Sequence, residues 1–288
     1  MDLLARMVDS VHVELREHKQ RVPMRLLVQQ ALANPARRDV LSALRAPDGV
    51  QVIAEVKRAS PSQGALPLRT DVVTLAVGYQ SGGAAAVSVL TQRQHFCGSL
   101  ADLDVVCPAV DVPVLRKDFI IDEYQLWEAR AHGAVLVLLI VAALDQPTLS
   151  TLVERAHAMG LTALVETHDA DEVDRALDAG AQVIGVNARD LRTLRVSPDR
   201  FADLAPRIPE GVVRVAESGV RGPDDVRALA AAGADAVLVG THVATSSDPR
   251  NAVAQLVAAG RRKGDAPPDV QADPPPRSHR SGAERLSW

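Results

Sequence analysis

The chain has 288 residues, 47% of them hydrophobic and 24% charged, enough for one large domain or two small ones with a sizeable core. A net charge of −4 excludes a basic field for nucleic acid or anionic lipid, and an aromatic content of 2% argues against a base-stacking module. Two cysteines, Cys97 and Cys107, are too few for a disulfide scaffold and point to a reducing, cytoplasmic compartment.

The N-terminal residues carry charges throughout and have no apolar stretch of the kind that marks a secretory signal. Leu3, Leu4, Met7, Val8, Val11 and Leu15 recur at helical spacing, and a second amphipathic stretch runs over 24–32. Asn34-Pro35 breaks it, and a short helix over 40–44 leads to the turn Pro47-Asp48-Gly49.

From residue 50 the rhythm changes. Short apolar, β-branched runs occur at 52–56, 86–90, 112–116, 135–140, 161–166, 183–187, 212–217 and 236–240. Each is followed by a helix-like segment, and several of these end in a Gly-Ala pair, as at Gly83-Ala84, Gly133-Ala134, Gly180-Ala181 and Gly233-Ala234. Eight such units predict an α/β fold, a (β/α)8 TIM barrel, with an N-terminal helical extension. A doubly wound open sheet is the alternative, but its first turn would carry a glycine-rich loop where this chain has KRASPSQG. The longest apolar run, 134–144, is too short to cross a bilayer. Residues 261–288 are proline-rich and predict a disordered C-terminal tail. The expected division is therefore 1–48 extension, 49–260 catalytic barrel and 261–288 tail.

In a barrel of this kind, chemistry belongs at the C-terminal ends of the strands, on side chains that alternate inward. Ile53, Glu55 and Lys57 share one face of the first strand. The third run leads into Lys117 after Leu115, the fifth ends in Glu166 after Leu164, the sixth in Asn187 and the seventh in Glu217. Any one of these is unremarkable as a surface charge. Together, at corresponding places on different strands, they predict an acid–base cluster whose members set one another's ionisation.

The loops after the seventh and eighth runs, ESGVRGPDD and GTHVATSSDPR, place glycines close to helix starts, where backbone N–H groups favour a phosphate. Ser218, Gly219, Gly240 and Thr241 are the candidates, with Ser60 facing them from the first loop. Phe96 and Phe119 fall in loops at the catalytic end and are candidate walls for a flat substrate. Arg189, two residues past Asn187, is placed to meet an anion. The eight histidines show no metal-binding spacing, and no metal is expected.

The segments IAEVKRASPSQG, VPVLRKDFI, YQLWEARAHGA, LLIVAAL, ALVETHD, IGVNARDL and VAESGV closely resemble the indole-3-glycerol-phosphate synthase family, over about residues 3–260. The resemblance implies cofactor-free conversion of 1-(2-carboxyphenylamino)-1-deoxyribulose 5-phosphate to indole-3-glycerol phosphate, carbon dioxide and water. It implies Lys117 as the general acid for ring closure and Glu166 as the acid–base partner in dehydration. Lys57 would contact the substrate carboxylate and has also been cast as a proton donor. Glu55, Asn187 and Glu217 would hold the lysines and substrate hydroxyls. Ser60, Gly219, Gly240 and Thr241 match the phosphate site, and Arg58 and Phe119 match the anthranilate end. The partner implied is a small phosphorylated molecule, without nucleic acid or membrane, bound by a monomer or weak homo-oligomer.

Thr241-His242-Val243 departs from the Glu-Ser-Leu or Ser-Ala-Leu common in the family, and Gln92 replaces a commonly acidic residue. Neither removes a proposed catalytic group. They leave open a paralogue acting on a modified substrate. An inactive barrel used as a binding subunit and a phosphoribosylanthranilate isomerase are the other readings. Lys57 at the end of the first strand and the long helical extension argue against the isomerase.

Overall fold

The computed structural model describes residues 3–34, 39–45, 47, 49–60, 64–66 and 70–261. The expected tail after Arg261 lies outside the described residues, as do Pro35 and Asp48 of the two expected breaks.

Eight strands form the barrel: β1 (Gln51–Val56), β2 (Ala86–Leu90), β3 (Val114–Lys117), β4 (Leu136–Ile140), β5 (Thr162–Thr167), β6 (Val183–Asn187), β7 (Val213–Glu217) and β8 (Ala236–Val239). Every neighbouring pair is parallel, and β1 closes the barrel by pairing with both β2 and β8. The third strand starts at Val114, two residues later than the apolar run suggests. Pro113 has no N–H to give to a ladder, although its carbonyl still accepts from the Val87 N–H.

Alternation along the strands builds two cores. Val52, Ala54, Val87, Val137, Leu139, Val165 and Ile184 face outward beneath the helices. Ile53, Leu115, Leu136, Leu138, Leu164, Val183, Val215 and Leu238 fill the barrel interior. Each such side chain contributes about 1.5–3 kcal/mol on burial, which is how a core with few rings holds together. Gly83, Gly133, Gly180 and Gly233 all have φ between 80° and 93°, the left-handed turn expected between helix and strand.

The N-terminal extension wraps the barrel from one end to the other. Helix α1 (Leu3–Arg21) buries Leu4, Met7 and Val11 against the inner cluster that also holds Phe119 and Ile140, at the C-terminal mouth. Helix α2 (Met24–Ala33) packs along the side against the helix Glu123–Ala131. Helix α3 (Val40–Leu44) is capped by Asp39 and buries Val40 and Leu44 in the same inner cluster as Val135, Val183, Val213 and Ala236, near the strand starts. Arg45 just beyond it reaches the carbonyl of Gly211, ahead of β7.

After β1 the chain forms a short antiparallel ladder, Ala59–Ser60 with Gly64–Ala65, which the sequence did not suggest. Aspartates 71, 122, 145, 169 and 248 cap the helices that follow the loops, each accepting from backbone N–H groups of the first turn. The loops at the mouth are thereby tied to rigid helices. Among the described residues no helix is long and apolar enough to cross a membrane.

Candidate active site

Glu55, Lys117, Glu166, Asn187 and Glu217 all sit at or near the C-terminal ends of their strands, on the inward face, with Lys57 one step beyond β1. Register brings them together: Glu166 is level with Gly185, and Asn187 with Glu217. They surround the floor of a cavity of about 630 Å³, whose wall includes Glu55, Lys57, Lys117, Asn187 and Glu217. Glu166 does not line the cavity. It lies just beneath, buried, and reaches the site through Lys117.

The ammonium of Lys117 is 3.6 Å from Glu166 Oε2 and 3.6 Å from Glu217 Oε2. Burial works against a charge on this lysine, but Glu166, Glu217 and Glu55 outweigh it and push its pKa up. Burial likewise opposes ionisation of Glu166, yet the charge of Lys117, with His168 and a hydrogen bond from Asn187, holds that carboxyl below its ordinary range. Glu217 goes the other way: burial, then the negative charge of Glu166, push it up despite Lys117. One lysine between two buried carboxyls therefore keeps one of them ionised and favours a proton on the other. Lys57 forms a separate pair with Glu55, Nζ to Oε1 at 3.1 Å.

Two glycines make room for these charges. A Cβ on Gly240 would fall 2.4 Å from Glu55 Oε1 and 3.0 Å from Lys57 Nζ. The residue selected from sequence for a phosphate thus also leaves space for the Glu55–Lys57 pair. A Cβ on Gly185, inside β6, would fall 2.1 Å from Glu217 Oε1.

At the rim, Phe96 and Phe119 both line the cavity, with ring centroids 6.4 Å apart and planes at 38°. Opposite them, Ser218 and Gly219 take φ of 67° and 83°, and Thr241 opens a short helix after Gly240; all four line the cavity. Arg189 also lines it, while its guanidinium donates to the Leu194 carbonyl at 3.0 Å and so braces its own loop. Arg58 is turned elsewhere: its Nη2 is 2.6 Å from Asp102 Oδ1, and it is not part of the cavity wall. The backbone of Ser60 belongs to the short ladder after β1.

Three features escaped the sequence reading. His168, two residues past Glu166, continues the inward face of β5, with Nε2 3.3 Å from Glu166 Oε1 and Nδ1 2.9 Å from Glu172 Oε2. The signal available was the period of two. Gly185 was legible only as a glycine inside a strand, a common mark of close approach. The third is a buried network behind Lys117. Arg116 pairs with Asp118 at 3.1 Å and Glu128 at 3.0 Å, and Glu128 in turn meets His18 of α1 at 2.8 Å. Asp118 also accepts from Thr91 Oγ1 at 2.6 Å and from the Phe119 N–H at 2.9 Å. The residues flanking the lysine are thus fixed from outside the barrel, partly by the N-terminal helix.

The comparisons with known proteins agree with one another. Residues 4–256 match the family model described as indole-3-glycerol phosphate synthase. The chain is 58% identical over 260 residues to indole-3-glycerol phosphate synthase 1 of Streptomyces coelicolor, covering 90% of this chain and 96% of the relative. It is 56% identical over 260 residues to indole-3-glycerol phosphate synthase of Beutenbergia cavernae, with the same coverage. Among solved structures, thiamine phosphate pyrophosphorylase from Pyrococcus furiosus superposes with a TM-score of 0.58 at 16% identity, over 77% of this chain and 97% of that one. An N-acetylmannosamine-6-phosphate 2-epimerase from Clostridium perfringens gives 0.57 at 14% identity, over 72% and 91%. At such identities these two structures speak for the barrel alone. With a family match across nearly the whole described barrel and relatives well above half identical, the chain belongs to the indole-3-glycerol phosphate synthase family.

Proposed function

We propose that the barrel mouth carries out the reaction for which the family is named: ring closure, decarboxylation and dehydration of 1-(2-carboxyphenylamino)-1-deoxyribulose 5-phosphate to indole-3-glycerol phosphate. The observation that carries this reading is Lys117, whose ammonium at the floor of the cavity lies 3.6 Å from each of two buried carboxyls. As the carboxylate-bearing ring carbon attacks the ketone carbon, the ketone oxygen becomes an alkoxide. A lysine held protonated at that point donates to it, because an alkoxide is far the stronger base. Loss of carbon dioxide then returns the bonding pair to the ring. In the last step the new hydroxyl leaves as water, and the proton lost from the adjacent carbon passes by way of Lys117 to ionised Glu166.

In this reading Lys57, held by Glu55, meets the substrate carboxylate and assists departure of the hydroxyl. Asn187 and Glu217 hold the substrate hydroxyls and Lys117. The phosphate rests on the backbone of Ser218, Gly219, Gly240 and Thr241, where successive N–H groups and left-handed turns favour an anion. Ser60 completes that end. Phe96 and Phe119, in tilted contact with each other, form one apolar wall for the anthranilate ring, and Arg189 steers its carboxylate. Holding both ends of a flexible chain brings the ring carbon onto the ketone. We assign residues 1–48 as a structural extension of a catalytic barrel at 49–260, in a cytoplasmic monomer or weak homo-oligomer. The test is turnover of the carboxyphenylamino-deoxyribulose phosphate by purified protein without added metal, read as rising indole fluorescence. Folded protein that yields no product above background would refute the reading.

A further inference from the structure

Lys117 stands at the same distance from Glu166 and Glu217, so those two contacts do not decide which carboxyl keeps the negative charge. The asymmetry lies one atom further out. Glu166 Oε1 and His168 Nε2 face each other at 3.3 Å, both buried, in a charge contact rather than an aligned hydrogen bond, and neither atom has a hydrogen-bond partner among the described residues. The other ring nitrogen, Nδ1, is 2.9 Å from Glu172 Oε2, and the same carboxylate accepts the His168 backbone N–H at 2.7 Å. Glu172 is fixed in turn, its N–H donating to the helix cap Asp169 at 2.9 Å. A neutral imidazole has one bare nitrogen, and here that lone pair would be aimed at a carboxylate oxygen on one side or the other. An imidazolium donates to Glu172 and sets its positive charge against Glu166. Among the described residues Glu217 has no second cation of this kind: its Oε1 is without a hydrogen-bond partner there and is packed against Gly185.

We infer that His168 is a positioning residue for the reaction: clamped by Glu172 as an imidazolium, it holds the negative charge on Glu166 and leaves the pair's exchangeable proton to Glu217. The inference rests on the functional reading above and deepens it, since it assigns the proton-accepting and proton-bearing members of the pair. The groups that act on the ring are Glu166 of β5, Glu172 of the helix Ala170–Asp178, and, across the barrel, Lys117 of β3 and Glu217 of β7. Burial disfavours charge on His168, but Glu166 and Glu172 outweigh it and raise its pKa to about 10. His168 touches no cavity-lining atom of the reaction itself and acts only through Glu166.

The test uses the full-length protein with two uncharged substitutions, His168→Gln and His168→Asn. Loss of the cation lowers kcat roughly tenfold to a hundredfold, below the about 10²–10⁴ carried by a group that itself transfers the proton. KM stays within about threefold, because the lost interaction is with Glu166 rather than with substrate. The acidic limb of the kcat–pH profile moves up by about one to two units, since an opposite charge within a few ångströms no longer favours the ionised form. A residue that only supports the fold leaves that limb where it is. In parallel, ring ¹⁵N resonances of the wild type should show a histidine doubly protonated at pH 9, one of eight in the chain. That signal should be missing from whichever variant folds. Folded variants with wild-type kcat and an unmoved limb would overturn the inference. So would a wild-type spectrum with no doubly protonated ring at pH 9, which decides the matter even if neither variant folds. A wild type without turnover would instead defeat the functional reading, while the spectrum still reports the charge of His168.

Discussion

Gly185→Ala is the sharpest perturbation available at this site, because it adds one methyl group and no charge. The new Cβ would lie 2.1 Å from Glu217 Oε1, 3.2 Å from Glu217 Cδ and 3.1 Å from Leu164 Cδ1. Ordinary contact begins near 3.4 Å, so the Glu217 carboxyl has to retreat by more than 1 Å from the β6 wall. The backbone itself is not strained, since Gly185 sits in a regular strand without positive φ. Overpacking costs about 1–3 kcal/mol, offset by about 0.5–1 kcal/mol from replacing a strand glycine. The net is a folded protein destabilised by about 0–2.5 kcal/mol. Catalysis suffers more. A misplacement of about 1 Å in a reacting constellation costs on the order of 10² in rate, so kcat should fall by about that factor. Continuous indole fluorescence at saturating substrate gives kcat, and urea unfolding of the same preparation gives stability. A variant with wild-type kcat would refute the placement of Glu217 beside Lys117 in the working site. A rate loss that merely tracked the unfolded fraction would refute it as well.

The network behind Lys117 also bears on stability. Arg116→Met leaves Asp118 and Glu128 buried without their guanidinium, and should lower stability by about 3–5 kcal/mol in urea unfolding; a loss under about 1 kcal/mol would contradict the burial and pairing described. His18 is raised above its ordinary range by its hydrogen bond to Glu128, against the effect of partial burial. A raised histidine contributes stability that is fully present below its unfolded pKa of about 6.5 and is lost as pH climbs through the folded value. The stability advantage of wild type over His18→Gln should therefore be largest near pH 6 and shrink on the alkaline side. An advantage that grew with pH would show that His18 is not protonated by this contact.

Much of the barrel was legible because its signals are local. Continuous apolar runs such as AVSVL and VIGVN coincide with Ala86–Leu90 and Val183–Asn187, and left-handed glycines mark four of the helix ends. The acid–base residues were legible from position alone, as polar groups at the inward ends of five of the eight strands. What stayed hidden depends on distance in the chain. Nothing near Arg116 announces that Glu128 will meet it, or that His18, 110 residues before Glu128, will close the network from α1. Gly240 carried a phosphate-loop signal and concealed a second role, because the closeness of Glu55 Oε1 exists only once β1 and β8 are paired. His168 lies one residue beyond β5, where a histidine ordinarily faces solvent. Only the alternation Leu164, Glu166, His168 hinted that it continues inward, and its partner Glu172 comes from the first turn of the next helix.

Ring closure turns on Lys117, held between Glu166 and Glu217. Its most direct test is a side-by-side assay of wild type and Lys117→Ala on 1-(2-carboxyphenylamino)-1-deoxyribulose 5-phosphate, with folding of both verified by circular dichroism. The prediction is indole-3-glycerol phosphate from the wild type, and a kcat lower by about 10²–10⁴ in the variant, whose fold survives because Glu166 takes up a proton in place of its lost partner. A folded Lys117→Ala variant with a near-normal rate would remove the lysine from the acid role and contradict the account.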